Sequence, residues 1–176
     1  LELGFIDDVY KILSLLPKDR QTLMYSATFS KDILNLSARL LKNPVEVTVS
    51  PRNMTATTVE QWIFSVDKKL KSELLSAIIC FEKWTRVLVF TNTKKSANSL
   101  AAFLNTKELE ATALHGDKNQ FVRAKILSEF KEGTIKILIA TDIAARGLDV
   151  DQLQYVVNFD LPKVAENYIH RIGRTG

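Results

Sequence analysis

Residues 137–150, ILIATDIAARGLDV, run from a short apolar strand into a loop crowded with Thr141, Asp142, small Ala and Gly residues, Arg146 and Asp149. After one more strand and turn comes YIHRIGRTG at 168–176, which sets His170, Arg171 and Arg174 within two helical turns, or a helix and its fraying end. Small residues let a backbone approach a phosphate chain, and planar guanidinium groups clamp its oxygens two at a time. The two stretches together read as a phosphate-handling surface built on an apolar strand.

Outward from them, strands and helices alternate. RVLVFTNT at 86–93 is a buried strand with a polar exit, EATALHGD at 110–117 is a short strand with its own polar exit, and LQYVVNFD at 153–160 is a further strand. VEQWIFSV at 59–66 also reads as a strand, which makes five with ILIAT. Helical stripes lie between them: Leu70, Leu74, Ile78 and Ile79; Ala97, Leu100, Ala101 and Leu104; then Ile126, Leu127 and Phe130, closed by Gly133 as a left-handed cap. Alternation of this kind specifies an α/β fold, a parallel sheet joined by right-handed crossovers and flanked by helices. Ligands of such sheets gather outside the carboxyl ends of the strands. Thr91 and Thr93, His115 to Asp117, and Thr141 with Asp142 all fall there.

The N-terminal part is a separate piece. Val9, Ile12, Leu13 and Leu16 mark an amphipathic helix stopped by Pro17, Leu23 to Tyr25 a short strand, Ser30 to Leu41 a second helix, and VEVTVS at 45–50 another strand. It has too little surface to bury by itself, so residues 1–49 are expected to finish a domain that starts upstream. SPRNMTATT at 50–58 is polar and turn-prone, the expected linker, and residues 59–176 form the second domain.

Composition narrows the class without naming it. In 176 residues, 46% apolar and 25% charged side chains are those of an ordinary globular protein. A net charge of +4 permits a polyanionic partner without demanding one. Cys80 is solitary, so neither a disulfide nor a thiolate metal site can form within the chain, which suits a reducing compartment. Neither His has a ligand-pair spacing, and no protein-held metal is expected. No run reaches the roughly 18 apolar residues of a membrane span. None of the glycines opens a G-x-x-x-x-G-K-[ST] loop, so the parts that hold nucleotide phosphates and magnesium are expected to lie elsewhere.

Each short motif has a plainer reading. HGDKNQFVR at 115–123 puts Gln120 and Arg123 at helical spacing beside a turn glycine, an anion site or else a capped helix start with Asp117 or Asn119 as cap. SAT at 26–28 could simply cap the next helix, and HRIGRTG could answer its own helix carbonyls. Trp62, Trp84 and most Phe residues lie in apolar patterns and are assigned to packing, leaving no aromatic platform for bases.

SAT, VLVFTNT, HGDKNQFVR, ATDIAARGLDV and HRIGRTG, in this order and spacing, resemble the motifs of DEAD-box ATP-dependent RNA helicases, most nearly the bacterial RhlE-like branch. The resemblance covers essentially the whole chain and implies the end of one RecA-like domain plus most of a second, truncated at its end. It implies ATP and Mg²⁺ as ligands, the metal held mainly by a Walker lysine loop and D-E-A-D tetrad outside this sequence. Ser26 and Thr28 resemble residues coupling hydrolysis to strand separation. Thr93, Gly116, Asp117, Gln120, Arg123 and Thr141 resemble an RNA-backbone groove. Gly147 and Asp149 resemble ATP contacts, Arg174 an arginine finger, and His170 with Arg171, grouped with it as catalytic, the interdomain network around it. A cytoplasmic monomer that binds RNA through its sugar-phosphate backbone follows from the resemblance, with the isolated chain inactive as an ATPase. A DNA-directed superfamily 2 translocase and a non-catalytic RecA-like binding module are the alternatives, because phosphate contacts alone do not name the sugar.

Overall fold

The computed structural model describes residues 5–26, 31–48, 59–145 and 153–175. The chain divides into two compact units, Leu1–Met54 and Thr55–Gly176. The expected linker at 50–58 lies outside the described residues.

In the first unit, α1 spans Ile6–Leu15 and α2 spans Lys31–Leu40. Both expected helices form, the first on its apolar spacing. The expected strands at Leu23 to Tyr25 and 45–50 are not formed among the described residues. An isolated strand leaves its backbone donors and acceptors unpaired, and nothing described lies beside these segments to complete a ladder.

The second unit is a four-stranded sheet, all parallel, in the order β2-β3-β1-β4. Its strands are β1 Val87–Phe90, β2 Ala111–Leu114, β3 Ile137–Ala140 and β4 Tyr155–Asn158. Between them run α3 Lys71–Phe81 before β1, α4 Lys94–Asn105, α5 Gln120–Glu132, the short α6 Asp142–Ala145, and finally α7 Ala165–Ile172. VEQWIFSV is the correction here: residues 59–67 join no ladder, and Ile63 is 96% exposed. Its apolar content suits a strand, but no described strand pairs with it.

Burial explains why β1 and β3 read so plainly. Every residue of VLVF and ILIA is buried, the continuous apolar run of a strand covered on both faces. Val87, Val89, Ile137 and Ile139 pack on one face with Leu75 and Ile79 of α3 and Leu100 and Leu104 of α4. Leu88, Phe90, Leu138 and Ala140 pack on the other with Ile126 and Phe130 of α5 and Leu153. The strand period of two thus divides one sheet between two helical layers. Gly133 ends α5 at φ +82°, in the left-handed region that a side chain would strain.

Candidate functional site

All four strands point their carboxyl ends to one pole, and each leaves through a polar exit: Thr91 to Thr93 after β1, His115 to Asp117 after β2, Thr141 and Asp142 after β3, Asn158 to Asp160 at β4. The expected groove residues of the second unit therefore share this pole. Thr93 caps α4, its side-chain oxygen accepting from Ser96 N at 3.0 Å. Asn119 caps α5 by accepting from Val122 N at 2.9 Å, which settles the choice of cap against Asp117. Gly116 and Gln120 are exposed and Arg123 is half-buried, while Thr141 lies further back, 9% exposed. Asp117, fully exposed, pairs instead with Lys94, which bridges the exits of β1 and β2 and holds its carboxyl below the usual carboxylate range. Through this pair Asp117 orders the rim between the two exits.

His115 sits under that rim, 4% exposed, with Nε2 3.0 Å from Asn98 Oδ1 on α4. Taken as the donor, Nε2 leaves Nδ1 unprotonated, buried and without a protein partner. Burial and then the positive charge of Lys118 push its pKa below the ordinary imidazole value, so the ring stays neutral. Its position ties the exit of β2 to α4.

Arg171 is the largest surprise. Sequence placed it among the phosphate-facing basic groups, yet it is 1% exposed and reaches back across three strand exits. Its Nε and Nη2 donate to the two carboxylate oxygens of Asp142 at 2.6 and 2.8 Å. Nη1 donates to Asn158 Oδ1 at 3.0 Å and to the Asp160 carbonyl at 2.6 Å, and Nη2 also reaches Asn92 Oδ1 at 3.0 Å. A guanidinium has five N–H donors, and here all are engaged. The Phe90 ring lies 5.0 Å from its centre. With all its donors engaged within the chain, Arg171 orders the strand exits in this arrangement. Asp142, expected among the polar strand ends, is its anchor.

Asp160 extends the same network. Its carboxylate accepts from Asn92 N at 3.0 Å and Ser96 Oγ at 3.4 Å and pairs with Lys71 at 3.4 Å. Neither Asn158 nor Asp160 was singled out from sequence, although NFD repeats the pattern of a polar exit after an apolar strand. Counting exits would have found it. His170 is exposed and Arg174 half-buried, and both border a hollow of about 20 Å³ with Asp142 and Asn167. The Arg174 carbonyl accepts from Leu153 N at 3.1 Å, fixing the chain just past α7.

Of the remaining expected residues, Ser26 is exposed on the first unit. Thr28, Gly147 and Asp149 lie outside the described residues. Among the described residues no cluster of three His, Cys, Asp or Glu side chains could hold a metal. No described helix is long and apolar enough to cross a membrane.

A larger groove, about 620 Å³, lies between the 62–64 segment and the end of α3, lined by Trp62, Phe64, Ile78, Phe81 and Trp84. Trp84 stacks on Tyr155 with ring centroids 4.3 Å apart, at the amino ends of β1 and β4. Size does not make it the site, because among its lining residues only Glu82 is charged. The assignment to packing holds for Trp84, which lies against the core, and not for Trp62, 64% exposed, or Phe81, 85% exposed.

A parallel sheet flanked by helices, with its polar exits gathered at one pole beside α7, is the architecture of a RecA-like helicase C-terminal domain. The family model for the helicase conserved C-terminal domain matches residues 69–176. The DEAD-box ATP-dependent RNA helicase CshA of Geobacillus kaustophilus is 42% identical over 176 residues, covering 100% of this chain and 38% of that protein. RhpA of Helicobacter pylori, another DEAD-box ATP-dependent RNA helicase, is 39% identical over the same length and 36% of its own. Among solved structures, S. cerevisiae Dbp5 bound to RNA and ADP BeF3 aligns with a TM-score of 0.88 at 31% identity, over 98% of this chain and 46% of that one. The chain belongs to the DEAD-box RNA helicase family, and it spans less than half the length of these relatives.

Proposed function

We propose that this chain supplies the C-terminal side of an ATP-dependent RNA helicase, in which ATP hydrolysis stimulated by RNA is coupled to local unwinding of a short duplex. The observation that carries the reading is the shared pole: exposed Thr93, Gly116 and Gln120, half-buried Arg123, and α7 with His170 and Arg174 all lie at the carboxyl ends of the strands, where Arg171 ties together the exits of β1, β3 and β4. Two capped helix starts and Arg123 can hold consecutive phosphates of one strand by position rather than by base identity. Arg174 acts as the finger that neutralises charge developing in phosphoryl transfer, with His170 beside it and Gly147 and Asp149 on the ATP. Ser26 and Thr28 couple the two events from the first unit. Mg²⁺ would neutralise the phosphates from ligands outside the described residues. The chain's own part is to orient RNA, place Arg174 and keep that placement rigid.

Steady-state ATPase of the full-length protein tests this. Turnover should rise with RNA and not with DNA of the same sequence, and the 176-residue chain alone should show none. Stimulation by DNA equal to that by RNA would replace this reading with a DNA-directed translocase.

A further inference from the structure

Phe121 stands on the first turn of α5, between Gln120 and Arg123, and is 79% exposed. The helix does not need it for packing: α5 turns Ile126 and Phe130 to the core, with Val122 and Leu127 against it. The face that carries Phe121 continues through Ala124 and Lys125, both exposed, because residues three and four apart share a side of a helix. Lys125 has a side chain 65% exposed and a 3.7 Å ion pair with Glu129, a surface contact that is weak and readily exchanged. Lys118 lies three residues before the ring, just ahead of the Asn119 cap. A single exposed apolar side chain is ordinary. An exposed aromatic ring with a cation one turn on along the same helix face and another three residues before it in the chain, at the edge of a rim read as phosphate-binding, is the combination that single-stranded nucleic-acid surfaces use: cations follow the backbone and rings stack on bases.

We propose that Phe121 is a stacking platform for one nucleobase of single-stranded RNA, with Lys118 and Lys125 meeting the phosphates on either side of it. The inference rests on the RNA-groove reading above and deepens it. A phenyl ring has no hydrogen-bonding group, so it cannot read a base edge. Selection is by stacking strength alone, and adenine outranks uracil.

The test measures equilibrium binding of the full-length protein to oligoadenylate and oligouridylate of equal length. Phe121→Ala should weaken oligoadenylate binding by about five- to a hundredfold, the range that aromatic truncation gives per stacked base. The loss for oligouridylate should be smaller, and Phe121→Trp should restore both. The slope of log affinity against log salt should not change, because no charge is removed. A 2-aminopurine placed in the strand should be quenched by the unaltered protein and not by Phe121→Ala. Arg123→Ala, run alongside, should weaken binding with a shallower slope. If Arg123→Ala behaves so and Phe121→Ala binds normally, stacking is overturned while the groove reading stands. If neither variant changes binding, the groove reading itself fails. Unchanged RNA affinity with loss of a bound protein partner assigns the ring to protein contact and also overturns the proposal.

Discussion

The two poles of the second unit are built from opposite materials. At the carboxyl pole, four strand exits carry Thr, Asn, Asp and His side chains, and one buried guanidinium gathers three of those exits. At the amino pole, Trp84 stacks on Tyr155 and an apolar groove opens beside Phe81. The amino pole has the larger hollow and the carboxyl pole the chemistry. Polar groups cost free energy to bury unless all are satisfied, so a network such as that of Arg171 is retained only where it fixes something that must not move. Within the carboxyl pole the same contrast recurs on a smaller scale: Arg171 is sealed and orders the exits, while Gln120 and Arg123 reach the surface where a ligand would lie.

The largest expected effect tests the division of labour along α7. Arg174→Lys should slow RNA-stimulated ATP turnover by about 10³-fold or more, since a lysine cannot present the forked guanidinium that such fingers use. RNA affinity should hold within a few fold. A loss of turnover below tenfold would take Arg174 out of the finger role and leave the carboxyl pole without its chemistry. Three residues earlier the outcome should change character. Arg171→Met should destabilise the second unit by about 1–3 kcal/mol or more in urea unfolding, because it leaves the Asn92, Asn158 and Asp160 acceptors without their donor and the half-buried Asp142 without its cation. If stability were unchanged and only ATPase fell, Arg171 would belong with the ligand contacts after all.

Smaller effects belong to the amino pole. Gly133→Ala should cost about 1–2 kcal/mol from its positive φ alone, since nothing lies within 4 Å of the added carbon. Trp84→Leu should cost about 0.5–1.5 kcal/mol for the lost ring pair beyond any lost burial. Both should leave the RNA salt dependence untouched. A pH titration sharpens the contrast from the other side. The folded pKa of His115 lies below the unfolded 6.5, so the unfolded chain takes up its proton first as pH falls. Stability should therefore decline below about pH 6.5 and level off once pH is under the folded value. His115→Gln should flatten that part of the curve. A slope of the same steepness in the variant would show that the decline comes from other groups.

Much of the fold was legible because burial writes itself into composition. VLVF and ILIA are covered on both faces and so are apolar throughout, and Gly133 announces a helix end that only glycine tolerates without strain. VEQWIFSV misled for the same reason, since apolar content records a capacity to pair and says nothing of whether a partner strand is beside it. The rim was legible as strand exits, apart from Asn158 and Asp160, whose exit follows β4. The burial of Arg171 was not legible at all. Arginine is rarely buried, and the acceptors that make it tolerable come from positions 92, 142, 158 and 160, which only the strand order β3-β1-β4 brings together.

The central claim, that ligand meets this unit at the carboxyl pole, is most directly tested by titrating the isotope-labelled 176-residue chain with single-stranded RNA and following backbone amide shifts. Shifts should concentrate at Thr93, Gly116, Gln120, Phe121 and Arg123, with Trp62, Phe81 and Trp84 unmoved. Shifts gathered instead around Trp62, Phe81 and Trp84 would contradict it.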